Sequence, residues 1–125
     1  MRTNMADGLV QLVVDDPVDR LLQRNECQLR LWCACADSRI LERLIFRTSA
    51  GVLGFRPVAR PDAALAHPNL EVTGFVVPIF LSDHLGAVNR GKLTISMVVG
   101  KQVIGQFDLR LTPEAIRKAT ERATC

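Results

Sequence analysis

Aromatic side chains are scarce in this 125-residue chain: it has five Phe, one Trp and no Tyr. Domains that hold single-stranded nucleic acid stack its bases on such rings, so the scarcity argues against a nucleic-acid partner. Long hydrophobic runs are missing as well. The longest apolar stretch without a charge, residues 72–82, is far shorter than the about twenty residues needed to cross a bilayer as a helix. The run Leu9–Val14 is too short for a secretory signal and meets Asp15 and Asp16 directly. A cytoplasmic location without membrane contact is therefore expected. Paired metal-binding cysteines are also lacking. The four cysteines are Cys27, Cys33, Cys35 and Cys125, and they give one C-x-C, whereas zinc knuckles use two close pairs. No metal and no cofactor are expected, and the thiols read as reduced core residues. The sharper alternative is a small enzyme or metal protein built on Cys33, Cys35 and His84, with Cys27 or Cys125 as a further ligand.

Catalytic signatures are few. The chain has two histidines, His67 and His84, and no serine in a G-x-S-x-G elbow. Asp83 beside His84 has the composition of a base with its orienting carboxylate, but adjacent residues rarely make that bond. Gly86-Ala87-Val88-Asn89-Arg90-Gly91-Lys92 fits the first seven positions of the phosphate-cradling P-loop. Leu93 then stands where a hydroxyl is required, and a β-branched run follows where a helix is required. Gly51-Val52-Leu53-Gly54 has the G-x-x-G shape of a single-strand RNA module, but with an apolar loop it reads as a turn. The chain is not expected to be an enzyme.

What the chain does contain is the material of an ordinary folded globule: 48% hydrophobic and 23% charged residues. This is one domain's length, 1–125. The net charge of +3 is unevenly spread. Residues 20–60 carry eight arginines against Glu26, Asp37 and Glu42. Arg39, Arg43 and Arg47 recur at a spacing of four, which suits one helix face and one strand face alike. Arginine grips phosphates and carboxylates with a planar fork, so these three are the candidate ligand-binding residues. A solvated surface is the plainer reading of the same residues.

Alternation dominates the patterning. Cys27, Leu29, Leu31, Cys33 and Cys35 share one face of a strand, with Gln28, Arg30, Trp32 and Ala34 opposite. Lys92–Val99 and Gln102–Leu111 alternate on either side of Gly100-Lys101, a strong hairpin signal. Thr112-Pro113-Glu114 opens a helix with a cap, a proline and an acid. Leu9–Val14, 52–58 and 70–81 read as further strands. Residues 60–69 and 82–91 read as loops. Residues 38–49 fit a helix through Ile40, Leu41, Leu44 and Ile45, or a strand through Ile40, Leu44 and Phe46. The fold expected is mainly β, an antiparallel β-sandwich or partly open barrel with a C-terminal helix.

The carboxyl half resembles immunoglobulin-like modules in general shape, with a strand holding a proline, a G-K-L loop end and a hairpin. The Cys…Trp…Cys spacing of those modules is absent. Arg39 and Arg43, as R-x-x-x-R before a β-rich stretch, resemble the arginine signature of PilZ cyclic-dinucleotide receptors. That resemblance implies a small anionic or cyclic-nucleotide ligand. PilZ domains add D/N-x-S-x-x-G, whereas Thr48-Ser49-Ala50-Gly51 keeps a serine and a glycine at another spacing, without the acid.

The leading functional expectation is a non-catalytic protein-interaction module, self-associating as a homo-oligomer or binding another protein through a sheet edge. Gly74 and Pro78 mark 70–81 as the irregular edge. Trp32, Leu70, Val72, Val76 and Pro78 are the expected interface.

Overall fold

The computed structural model describes residues 4–5 and 9–124. Among these residues ten strands form two sheets. Sheet A contains β1 (Asn4–Met5), β10 (Gln102–Leu111), β9 (Lys92–Val99), β5 (Leu44–Thr48) and β6 (Gly51–Leu53), in that order. The two residues of β3 (Leu21–Leu22) lie parallel to the end of β10. Sheet B runs β2 (Leu9–Asp16), β4 (Glu26–Cys35), β8 (Glu71–Phe80) and β7 (Arg56–Val58). All pairings other than β3–β10 are antiparallel. The architecture is mainly β, sandwich-like and not closed into a barrel.

The alternation read in the sequence is what builds the core. Leu29, Leu31, Cys33 and Cys35 of β4, with Phe75, Val77 and Ile79 of β8, face Leu93, Ile95 and Met97 of β9 and Phe107 and Leu109 of β10. Burying each large apolar side chain contributes about 1.5–3 kcal/mol, which drives the two sheets together. The hairpin turns at Gly100-Lys101 as expected, with a bulge between Val103 and Gly105. The closing helix α4 (Pro113–Thr124) is also as expected. Its Ala115 N–H is capped by Thr112 Oγ1 at 3.1 Å, and Ala115 and Ala119 are buried.

The ambiguous segment is both alternatives in succession. Asp37 accepts the N–H of Arg39 and starts a five-residue helix, α1 (Ser38–Glu42). From Leu44 the period changes to two, because Leu44, Phe46 and Thr48 turn inward while β9 and β6 take up both edges of β5. The two expected loops each hold a short helix instead: α2 (Pro61–Ala66) and α3 (Leu85–Arg90), the latter after a 3-10 turn at Leu81–Asp83. The stretch 52–58 is two strands in different sheets, and the first three residues of the expected turn at 51–54 are themselves β6 (Gly51–Leu53). Between them Phe55 packs edge-on against Phe46 of sheet A, with centroids 5.2 Å apart, and Phe75 of sheet B, at 5.5 Å.

The expected edge at 70–81 is corrected. β8 is an inner strand, paired along its whole length with β4 and over Gly74–Val76 with β7. β7 leaves that side of β8 uncovered before Gly74 and beyond Val76, where Pro78 sits. Gly74 is there for a close approach rather than an irregular edge. Arg60 crosses above it, forking onto Asp62 (Nε–Oδ1 3.0 Å, Nη2–Oδ2 2.9 Å) and reaching Asp15 with Nη1. The guanidinium holds the Asp62 carboxyl down at about 2. This clasp fastens α2 across the outer face of sheet B.

A Cβ added at Gly74 would stand 2.9 Å from the Val58 carbonyl oxygen and 2.7 Å from Arg60 Cγ. The Arg60 stem can swing aside, but the ladder carbonyl cannot. Gly74→Ala is expected to cost about 1–3 kcal/mol in urea unfolding, the usual range for overpacking. An unchanged midpoint would mean that the Val58 carbonyl yields as well as the Arg60 stem.

Candidate functional site

Alternation has a second consequence on the outer face of sheet A. Strand register sets Arg47 of β5 opposite Ser96 of β9, and Ser96 opposite Gln106 of β10. Thr94 stands opposite Asp108 one step along. With Phe46, Ile95, Met97 and Phe107 turned inward, these neighbours must turn outward. They form a polar floor, half-buried at Thr94, Ser96 and Gln106. Its rim comes from two directions. At the end of β5 the Thr48 hydroxyl accepts the Ala50 N–H at 3.1 Å, a local turn that sets Ser49 beside the floor. On the other side α3 ends at Arg90, because Gly91 takes the left-handed conformation (φ 73°) that stops a helix. The Arg90 guanidinium folds back along α3, and Nη1 would lie 3.6 Å from a Cβ at Gly86. Arg47, Thr48, Ser49, Arg90, Thr94, Ser96 and Gln106 enclose a basin of about 280 Å³.

The charges in this basin are unbalanced. Among the described residues neither Arg47 nor Arg90 has an ion-pair partner, and both are exposed. The nearby carboxylate of Asp108 is already engaged. It accepts from the Thr94 hydroxyl at 2.5 Å and lies 3.9 Å from Lys92 Nζ. Gln106 Nε2 donates to Ser96 Oγ at 3.1 Å, which leaves the serine proton to point elsewhere. Two arginines thus line a basin whose floor carries the Thr94 and Ser96 hydroxyls.

The three arginines singled out by spacing have different places. Arg47 lines the basin. Arg39 is forked onto Asp37 at the start of α1 (Nη2–Oδ2 2.9 Å), and its side-chain and backbone hydrogen bonds hold that carboxyl below the usual range. Arg43 closes α1 at its C-terminal end, exposed. Neither Arg39 nor Arg43 lines the basin. Arg90 is the basin residue that pattern reading passed over. The available signal was Gly91, a helix stop directly after it. The P-loop order is reversed here, with the helix before Gly91 and a strand from Lys92.

The surface expected around Trp32 is largely internal. Trp32 is 9% exposed, lies against the His67 ring (centroids 5.7 Å apart) and packs with Ala63 of α2, Val13, Leu70 and Val72 as a small second core. Leu70 and Val72 are half-buried in it, and Val76 is 2% exposed, between Arg30 and Arg56 in the strand register. Pro78 is the exposed member of that set.

The thiols and His84 are not brought together. Cys33 and Cys35 are fully buried in the main core. Contact with the Cys35 thiol, then burial, keeps Cys33 protonated far above the usual thiol range. Burial, with the Asp16 charge, pushes half-buried Cys27 up to about 11. Cys27 and Cys33 are thereby poor nucleophiles. Cys125 lies outside the described residues. His84 is buried at the start of α3, with Nδ1 3.3 Å from Thr48 Oγ1. Among the described residues no three His, Cys, Asp or Glu side chains are placed to hold a metal ion. No helix among them is long and apolar enough to cross a membrane. Compared with family models, curated proteins and solved structures, the chain shows no match.

The His84 environment gives a pH prediction. Burial lowers its pKa from the ordinary 6.5, against a smaller raising effect of Asp83. The folded protein then binds fewer protons than the unfolded chain just below that value. The resulting stability is complete above 6.5 and is lost as pH falls through the folded pKa. Melting temperatures between about pH 5 and 8 should decline on the acid side, and His84→Gln should flatten the decline. An equal acid-side slope in the variant would assign it to other groups.

Proposed function

We propose that the protein is a non-catalytic binding domain that takes an oxyanionic ligand in the basin on the outer face of sheet A. The observation that carries this reading is that Arg47 and Arg90, from separate elements and without carboxylate partners among the described residues, line one basin with the Ser96–Gln106 floor. Guanidinium and hydroxyl donors together suit an oxyanion, and charge-assisted bonds are the stronger kind. The reading keeps Arg47 from the arginine series and replaces Arg39 and Arg43 by Arg90. We read the protein as cytoplasmic, the compartment in which thiols such as Cys27, Cys33 and Cys35 stay reduced.

Thermal shift with sulfate and phosphate tests it. A ligand at about 100 times its dissociation constant should add about 2.7 kcal/mol of stability. Arg47→Ala and Arg90→Ala should each weaken binding by about tenfold or more, the value of a lost charged hydrogen bond. No response to either anion would remove the reading.

Self-association is the second reading, moved to another strand. Among the described residues β2 pairs with β4 alone, so one side of an eight-residue strand has no ladder partner. Such edges template pairing with another chain. Light scattering should then give a dimer mass, and proline at Val13 should shift it towards the monomer. A monomer mass for the unaltered protein at high concentration would end this second reading.

A further inference from the structure

We infer that the basin recognises a terminal phosphoryl group, carried by a small phosphomonoester whose remainder projects into solvent. This rests on the oxyanion reading above and names the ligand chemistry within it.

The first argument is the count of donors that remain unspent. The Thr94 proton is committed to Asp108, and Thr48 Oγ1 already contacts both Ala50 N and His84 Nδ1. Arg47, Arg90, Ser49, the Ser96 hydroxyl proton and the second Gln106 Nε2 proton remain free to face a ligand. Five donor groups around one small space call for a ligand end with many acceptors. A phosphomonoester dianion offers three non-bridging oxygens, whereas a phosphodiester or a carboxylate offers two. Two guanidinium charges also match a dianion better than a monoanion, and the nearby carboxylate, Asp108, has Lys92 beside it at 3.9 Å.

The second argument is size and lining. At about 280 Å³ the basin falls just under the roughly 300–1,000 Å³ of pockets that enclose drug-sized ligands. Among the described residues no aromatic ring lines it, so a base would lack the aromatic platform that single-strand binders use. The space holds a phosphoryl group and a few atoms more. A cyclic dinucleotide, with two internal diesters and two bases, fits neither the donor count nor the lining.

Calorimetric titration of the whole protein with methyl phosphate, dimethyl phosphate and sulfate tests the inference. At pH 8 methyl phosphate should bind at least about tenfold tighter than dimethyl phosphate, the value of one strong contact. Its affinity should fall about tenfold by pH 5, following the second phosphate ionisation near 6. Sulfate, a dianion throughout, reports any change in the protein itself over that range. Ser96→Ala should weaken methyl phosphate more than dimethyl phosphate, and Arg43→Ala, outside the basin, should change neither. A phosphoserine tripeptide binding as methyl phosphate does would confirm that the phosphoryl group alone is read. Tight peptide binding with no methyl phosphate binding would overturn the inference in favour of a protein partner. Equal affinity for the monoester and the diester would overturn it while leaving the oxyanion reading intact. Binding of none of them, sulfate included, would remove both.

Discussion

The requirement that apolar side chains leave water on one side of each strand organises this molecule. Once Phe46, Ile95, Met97 and Phe107 are committed to the space between the sheets, every neighbour along those strands is forced to the opposite side. The polar floor is the direct result. Arg47, Ser96 and Gln106 form a row because β5, β9 and β10 are in register, and that register is held by the core beneath them. A shift of one residue would put Arg47 inside the core and dismantle both at once.

The elements legible in the sequence are those whose pattern is local and long. The hairpin of β9 and β10 declares itself by ten or so alternating positions and a glycine turn, and α4 by its cap, proline and acid. Helices α2 and α3 were not legible because six residues barely establish a helical period, and such short helices depend on tertiary packing. Pro61 and Asp62 were present as start signals but were outweighed by the loop-like composition around them. In 38–49 one apolar stripe served two elements in turn. Gly74 and Pro78 carry edge chemistry in isolation, yet Gly74 is explained by a side chain that passes above it from α2.

The basin was half legible for the same reason. Arg47 was marked by its spacing, but Arg39 and Arg43 share that spacing and have other partners or other places. Arg90 lies far along the chain, and its meeting with Arg47 depends on β5 pairing with β9, which no local pattern states. The outward hydroxyls were visible as the polar half of an alternating strand, without any sign that they were more than a wet surface. Trp32 shows the opposite error. On the polar side of its strand it reads as exposed, while α2 and His67 cover it.

One feature links the two layers in a way that ladder bonds do not. The chain leaves sheet A at Leu53 and enters sheet B at Arg56, and the ring of Phe55 is wedged against one phenyl group from each. This short tether leaves little slack for one layer to slide over the other. Opening either sheet at this corner pulls on its opposite number through Phe55. Rigidity in the inner rings is thereby passed to the outer surface, where the spacing between strands decides how far apart the ligand contacts can stray.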